Sequence, residues 1–151
     1  MINQVNDRFG TPLSTSSVAA AESLQEGIDR LLSQNHGPDL KFQEAIDLDE
    51  GFALAHGCLA YWYQQRAHPE DALTTIKVAL ELVPEATRRE RQQIEAISHW
   101  INGRGQDSIA LIKEHLTEFH RDGVQLRLAH RLNMLGCSGA ASSKFPLDYL
   151  A

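Results

Sequence analysis

Seven histidines in an acidic chain are the first residues to question for chemistry. Two histidines at i and i+4 of a helix, or an HExxH run, would hold a zinc ion and supply a general base. Neither spacing occurs here. The nearest cluster, His115 with Glu118 and His120, sets its two imidazoles five residues apart, where a helix turns them away from each other. These read as residues of a solvated face, so no metal and no cofactor are expected. His56 and His130 differ, because both follow a Leu-Ala pair, in Leu54-Ala55-His56 and Leu128-Ala129-His130, on what read as inner helices. Each is either a buried histidine satisfied by a carbonyl or hydroxyl, or part of a shared polar pocket for a small molecule.

Nucleophilic chemistry finds little to work with. Gly136-Cys137-Ser138-Gly139 is one residue short of Gly-x-Ser-x-Gly and follows a helix rather than a strand. Cys58 sits among core positions, where a thiol behaves as a small hydrophobe. Gly103-Arg104-Gly105 lacks the third glycine and the preceding strand of a dinucleotide fingerprint and reads as a helix stop. Arg88, Arg89 and Arg91 form the one basic cluster, a solvated turn expected to pair with Glu85, Glu90 and Glu95. No catalytic residue is assigned, and the chain is not expected to be an enzyme.

Charge and composition narrow the partners. Acidic residues number 20 against 14 basic, a net charge of −6, so no field is present to gather nucleic acid or an anionic membrane surface. The apolar fraction of 42% is enough for a packed core in a domain of this length. Two cysteines, a polar start and the lack of any long apolar run fit a cytoplasmic protein.

Helical spacing must position whatever these residues do, and it predicts about seven helices and no sheet. Val18, Ala21, Leu24, Ile28 and Leu31 make the first stripe, ended by Asn35-His36-Gly37-Pro38. Pro38 opens a short second helix through Phe42, Ala45 and Ile46. A third, Phe52 to Gln65, has an apolar arc broad enough to be covered on two sides. Pro69, Glu70 and Asp71 open a fourth that Pro84 ends. Thr87-Arg88-Arg89-Glu90 has the form of a capping box and starts a fifth. A sixth follows from Gln106 to His120 and a seventh from Val124 to Leu135. Residues 1–16 read as an extended segment, 17–136 as the helical domain, and the Ser- and Gly-rich 137–151 as a loosely held tail.

One stretch repeats a known helix-pair pattern. With Ala53 as the first position of a unit of roughly 34 residues, Leu59, Ala60, Tyr63, Ala72, Ile76, Ala79 and Pro84 fall on its signature sites. Small residues at Ala60, Ala72 and Ala79 are where antiparallel helices approach most closely. The preceding unit matches through Phe42, Ala45 and Ile46 only. The following one matches after a slide of about one turn, through Ile97, Ile101 and Ala110. The expected fold is therefore an all-α, short α-solenoid of antiparallel pairs, with residues 53–86 as its regular repeat.

Further stretches resemble the tetratricopeptide-repeat protein 38 family. They are Gly10-Thr11-Pro12-Leu13-Ser14-Thr15-Ser16-Ser17, Arg88-Arg89-Glu90 with Glu95-Ala96, and Asp122 followed by Leu128-Ala129-His130. Family members continue into further helical pairs, whereas this chain departs at Cys137-Ser138-Gly139. The resemblance implies a repeat array and a piece of a longer one.

Three functions follow as expectations. The first is a scaffold binding a protein or peptide on a concave face lined by Tyr61, Gln64, Gln65, Gln92, Glu95, His99 and Asn102, whose amides and phenol can bond a peptide backbone. The second is a small-molecule binder or enzyme around His56 and His130. The third is a truncated array whose last helix exposes Val124, Leu128, Leu132 and Leu135 for self-association.

Overall fold

A computed structural model describes residues 4–136. Among these there are seven α-helices and no strand beyond one isolated bridge. The helices are α1 (Val18–Leu32), α2 (Pro38–Leu48), α3 (Ala53–Gln65), α4 (Pro69–Leu82), α5 (Arg88–Ile101), α6 (Gly105–Glu118) and α7 (Gly123–Met134). A 3-10 turn, Val83–Glu85, carries Pro84. No helix among the described residues is long and apolar enough to cross a membrane. The tail from Cys137 onward lies outside the described residues.

The starts of the helices follow their sequence. Ser17 accepts from the Ala20 N–H at 3.1 Å, and Thr87 with Glu90 forms the reciprocal capping box. Pro38 and Pro69 occupy first turns, where a missing N–H costs nothing.

The ends of the odd-numbered helices share one device. Gln34, Ala67, Gly103 and Gly136 follow α1, α3, α5 and α7 with φ of 59°, 60°, 75° and 76°. This left-handed residue lets the chain bond back onto the closing turn, as in Asn35 N–H to Arg30 O, His68 N–H to Tyr63 O and Arg104 N–H to His99 O. Two of the four are not glycine, at a cost of about 1–2 kcal/mol each.

Packing is by neighbours. Each helix of α1–α2, α3–α4 and α5–α6 lies against its partner, and each pair touches the next through α2 with α3 and α4 with α5. α3 also lies along α5. Ala60, Ala72 and Ala79 are fully covered, and at the α3–α5 crossing Gly57 leaves room for Ile94, whose Cγ1 would lie 3.0 Å from an added Cβ. α7 returns to pack against α1: a Cβ on Gly123 would meet Leu32 Cδ1 at 2.8 Å. Arg127 of α7 donates to the carbonyls of Leu31 and Leu32 at 2.7 and 3.2 Å.

That return overturns one expectation. Val124, Leu128 and Leu132 are 5%, 0% and 1% exposed, so the open apolar stripe on the last helix does not exist. Only Leu135 is exposed, because α7 packs against α1, α5 and α6 and covers the rest.

Candidate binding cavity

A short strap precedes α1 and folds back over the inner helices. Asp7 shapes it, its Oδ1 accepting from the N–H groups of Phe9 and Thr11 at 2.9 Å each. Asn6 and Pro12 form an antiparallel bridge, and Leu13 N–H reaches Val5 O at 2.8 Å. Asp7 Oδ2 also accepts from Arg89 Nη1 of α5 at 2.8 Å, with both side chains largely covered. Arg8 pairs with Asp29 of α1 at 2.6 Å. Ser14 N–H donates to Glu90 Oε1 at 3.0 Å, so the capping residue of α5 also fixes the end of the strap. Val5 and Leu13 are buried beneath it.

Between the strap, α1, α3, α5 and the start of α7 lies a cavity of about 430 Å³. Pockets of this size hold small organic molecules. Leu24, Ile28, Leu54, Ile97 and Val124 make much of its wall apolar. Cys58 lines it too, but burial pushes its thiol far above the ordinary range, so it stays protonated and unreactive.

One wall is polar and centres on Asp122, the N-cap of α7. Asp122 Oδ1 accepts from Gln125 N–H at 3.2 Å. Its Oδ2 accepts from Gln93 Nε2 at 2.5 Å and from His115 Nε2 at 2.8 Å. His115 Nδ1 lies 2.9 Å from the Gln92 side-chain oxygen. The imidazole is fully buried, with the Phe119 ring 5.0 Å away. The cluster therefore holds the α5, α6 and α7 helices together from inside.

Two acceptors in this wall are left over. Gln93 gives its amide N–H to Asp122, and Gln125 gives its own to the Gln93 backbone carbonyl at 3.4 Å. The side-chain oxygens of both residues are buried and have no hydrogen-bond partner. Such an acceptor costs about 1–3 kcal/mol when unmet. Both residues line the cavity, so a molecule bringing N–H or O–H donors into it would meet that need.

The chain matches no protein-family model, no curated protein and no solved structure. Its chemistry rests on the residues themselves.

The sequence-derived candidates scatter. Tyr61 was expected on an open concave face; instead it is fully buried, its ring 5.0 Å from that of Trp100. Gln92 is likewise buried and turned to His115. Gln64, Gln65, Glu95 and His99 are half-buried, and Gln65 accepts from Arg131 at 3.4 Å. Asn102 is exposed and caps α5, donating to Ser98 O at 2.8 Å. His56 bonds the Glu50 carbonyl at 2.9 Å, and His130 is exposed. Neither histidine lines the cavity.

Two further expectations are corrected. His115 is not on a solvated face: it stands three residues after Ile112 and seven after Ser108, both fully buried, and so lies on the inner arc of α6. The arginine cluster does not pair with Glu85, Glu90 and Glu95. Arg89 reaches Asp7 and Arg88 reaches Glu118, while the Glu90 carboxylate closes the capping box.

Gln93, Gln125, Asp122 and Asp7 were missed as site residues. A signal existed for two of them, since Gln93 precedes Ile97 by four residues and Trp100 by seven, and Gln125 precedes Ala129 and Leu132 in the same way. Polar residues on an apolar stripe mark buried polar wall.

Proposed function

We propose that the chain is a binding module: a short α-solenoid of antiparallel pairs, similar to the tetratricopeptide-repeat protein 38 family, that takes a small amphipathic molecule beneath its strap. The order of contacts, pair upon pair with α7 closing the curve, supports the solenoid reading. The observation that carries the ligand is the pair of unpartnered buried oxygens on Gln93 and Gln125 in a cavity with apolar walls. The ligand has an apolar body for Leu24, Ile28 and Leu54 and a head bearing amide, hydroxyl or amine donors. Cytoplasmic residence remains part of the reading.

Thermal shift across amphipathic amides, alcohols and amines tests it, since a ligand of the folded state raises the melting temperature by mass action. At least one class should raise it in the wild type and lose the effect in the double variant Gln93→Leu, Gln125→Leu. A flat response from the whole panel at millimolar concentration overturns the reading.

A second reading keeps a peptide or protein partner on the inner helices. His99 Nδ1 is buried without a partner on α5, one turn from the half-buried Glu95, and favours it. Alanine at Gln64, Gln65 and Asn102 should then abolish partner capture while helicity is kept.

A further inference from the structure

A second cavity, of about 480 Å³, opens at the C-terminal ends of α1 and α3, beside α7. Arg30, Arg66, Arg127 and Arg131 line it, with Asp39 as its one carboxylate. This is a concentrated positive site in a chain of net charge −6. Its origin is the fold: α1 and α3 send their C-terminal ends to the same edge as the body of α7, and cations suit those ends. Their arginines therefore converge.

Most of that charge is uncompensated. Arg30 is paired with Glu26 at 2.6 Å. Among the described residues no carboxylate pairs with the other three. Arg127 donates to the backbone carbonyls of Leu31 and Leu32. Arg66 lies 5.9 Å over the Trp62 ring, and Arg131 lies 5.7 Å over Trp100 while donating to Gln65. Arg131 Nε is buried and unmet, and the fully buried Tyr61 phenol, tilted against the same Trp100 ring, feels the positive charge of Arg131 and Arg127. Guanidinium forks match the paired oxygens of phosphate and carboxylate, and the cleft is larger than a bare anion, with the Trp62 ring on its wall.

We infer that this cleft binds a small organic oxyanion, a phosphate monoester or a carboxylate, with Arg66 and Arg131 gripping the anion and Trp62 covering its apolar body. The site is separate from the cavity under the strap and stands or falls independently.

Calorimetric titration at fixed ionic strength tests it, with inorganic phosphate, citrate and phenyl phosphate as probes. Saturable binding of phosphate or citrate is expected, and which of them binds names the anion. Each lost guanidinium should weaken it about tenfold or more, as charged hydrogen bonds do, in Arg66→Gln and in Arg66→Gln with Arg131→Gln. Phenyl phosphate should bind more tightly than inorganic phosphate, and that preference should vanish in Trp62→Leu. Arg66 is exposed, so its single variant reports even if Arg131→Gln disturbs folding. The absence of saturable heat from all three probes, or equal affinity in Arg66→Gln, overturns the inference.

Discussion

The pairs α3–α4 and α5–α6 are each two packed helices joined by a short turn, and they bury opposite kinds of surface. In α3–α4, Ala60, Ala72 and Ala79 are each fully covered, and the buried residues are almost wholly apolar. In α5–α6 the interior holds Glu90, Gln92, Gln93, Ser98, Ser108 and His115. Most of these find partners: Ser108 Oγ donates to Ala96 O at 2.7 Å, and Glu90 accepts from the N–H groups of both Ser14 and Thr87. The regular pair is a dry spacer. The irregular one carries the polar groups that fasten the strap and α7 and that face the cavity.

The contrast can be broken first at Asp122. Asp122→Ala leaves His115, Gln93 and the start of α7 without their shared acceptor, and each buried donor left unmet costs about 1–3 kcal/mol. Urea denaturation should show this as a large fall in midpoint; a loss below about 1 kcal/mol would mean the cluster is not a fastening. The dry pair should be less sensitive to its own worst insult. Ala79→Leu forces extra methylenes between packed helices for about 1–3 kcal/mol, and a greater loss there than at Asp122 would reverse the ranking.

Alkaline pH sharpens the comparison further. Burial raises the Cys58 thiol from its ordinary 9.0 and the Tyr61 phenol from 10.0, the latter against the pull of Arg131 and Arg127. Both groups hold protons more tightly when folded. Their contribution is thus complete below the unfolded values and is lost as pH rises through the folded ones, at up to about 1.4 kcal/mol per pH unit for each group. Stability should decline from about pH 9, and Cys58→Ala and Tyr61→Phe should each flatten part of the decline. An unchanged slope in both variants would contradict the burial assigned to α3.

The smallest expected effect is a gain. Ala67→Gly relieves a left-handed alanine after α3 and should stabilise by about 1 kcal/mol. The matching change of Gly103 to alanine after α5 should cost a similar amount, so the two variants, read by thermal melting, should move in opposite directions.

What the sequence made legible was local. Stripes at three- and four-residue spacing, Pro38 and Pro69 at helix starts, and the Thr87–Glu90 box all act within a turn or two, and they stand where expected except Val18, which is 60% exposed. The candidate site was largely hidden because its bonds are long in sequence: Arg89 meets Asp7 across 82 residues and Gln93 meets Asp122 across 29. Asp122 looked like punctuation before a helix, and it is; its second oxygen has another task. His115 was judged against other histidines, whereas Ile112 one turn earlier was the informative neighbour. The stripe on α7 was legible as apolar, but only the long-range packing of α7 against α1 decides that part of it is covered there.

The shared endings of α1, α3, α5 and α7 carry one more consequence. α3 buries an almost wholly apolar face, whereas α5 buries Glu90, Gln92, Gln93 and Ser98 beside its isoleucines. Yet α1, α3, α5 and α7 are each closed by a residue in the left-handed conformation, so the backbone repeats its ending while the faces vary. What recurs along this chain is the stop, which frees the surfaces between stops to diverge: one pair dry, the next polar, and the edge where α1 and α3 end collecting arginines.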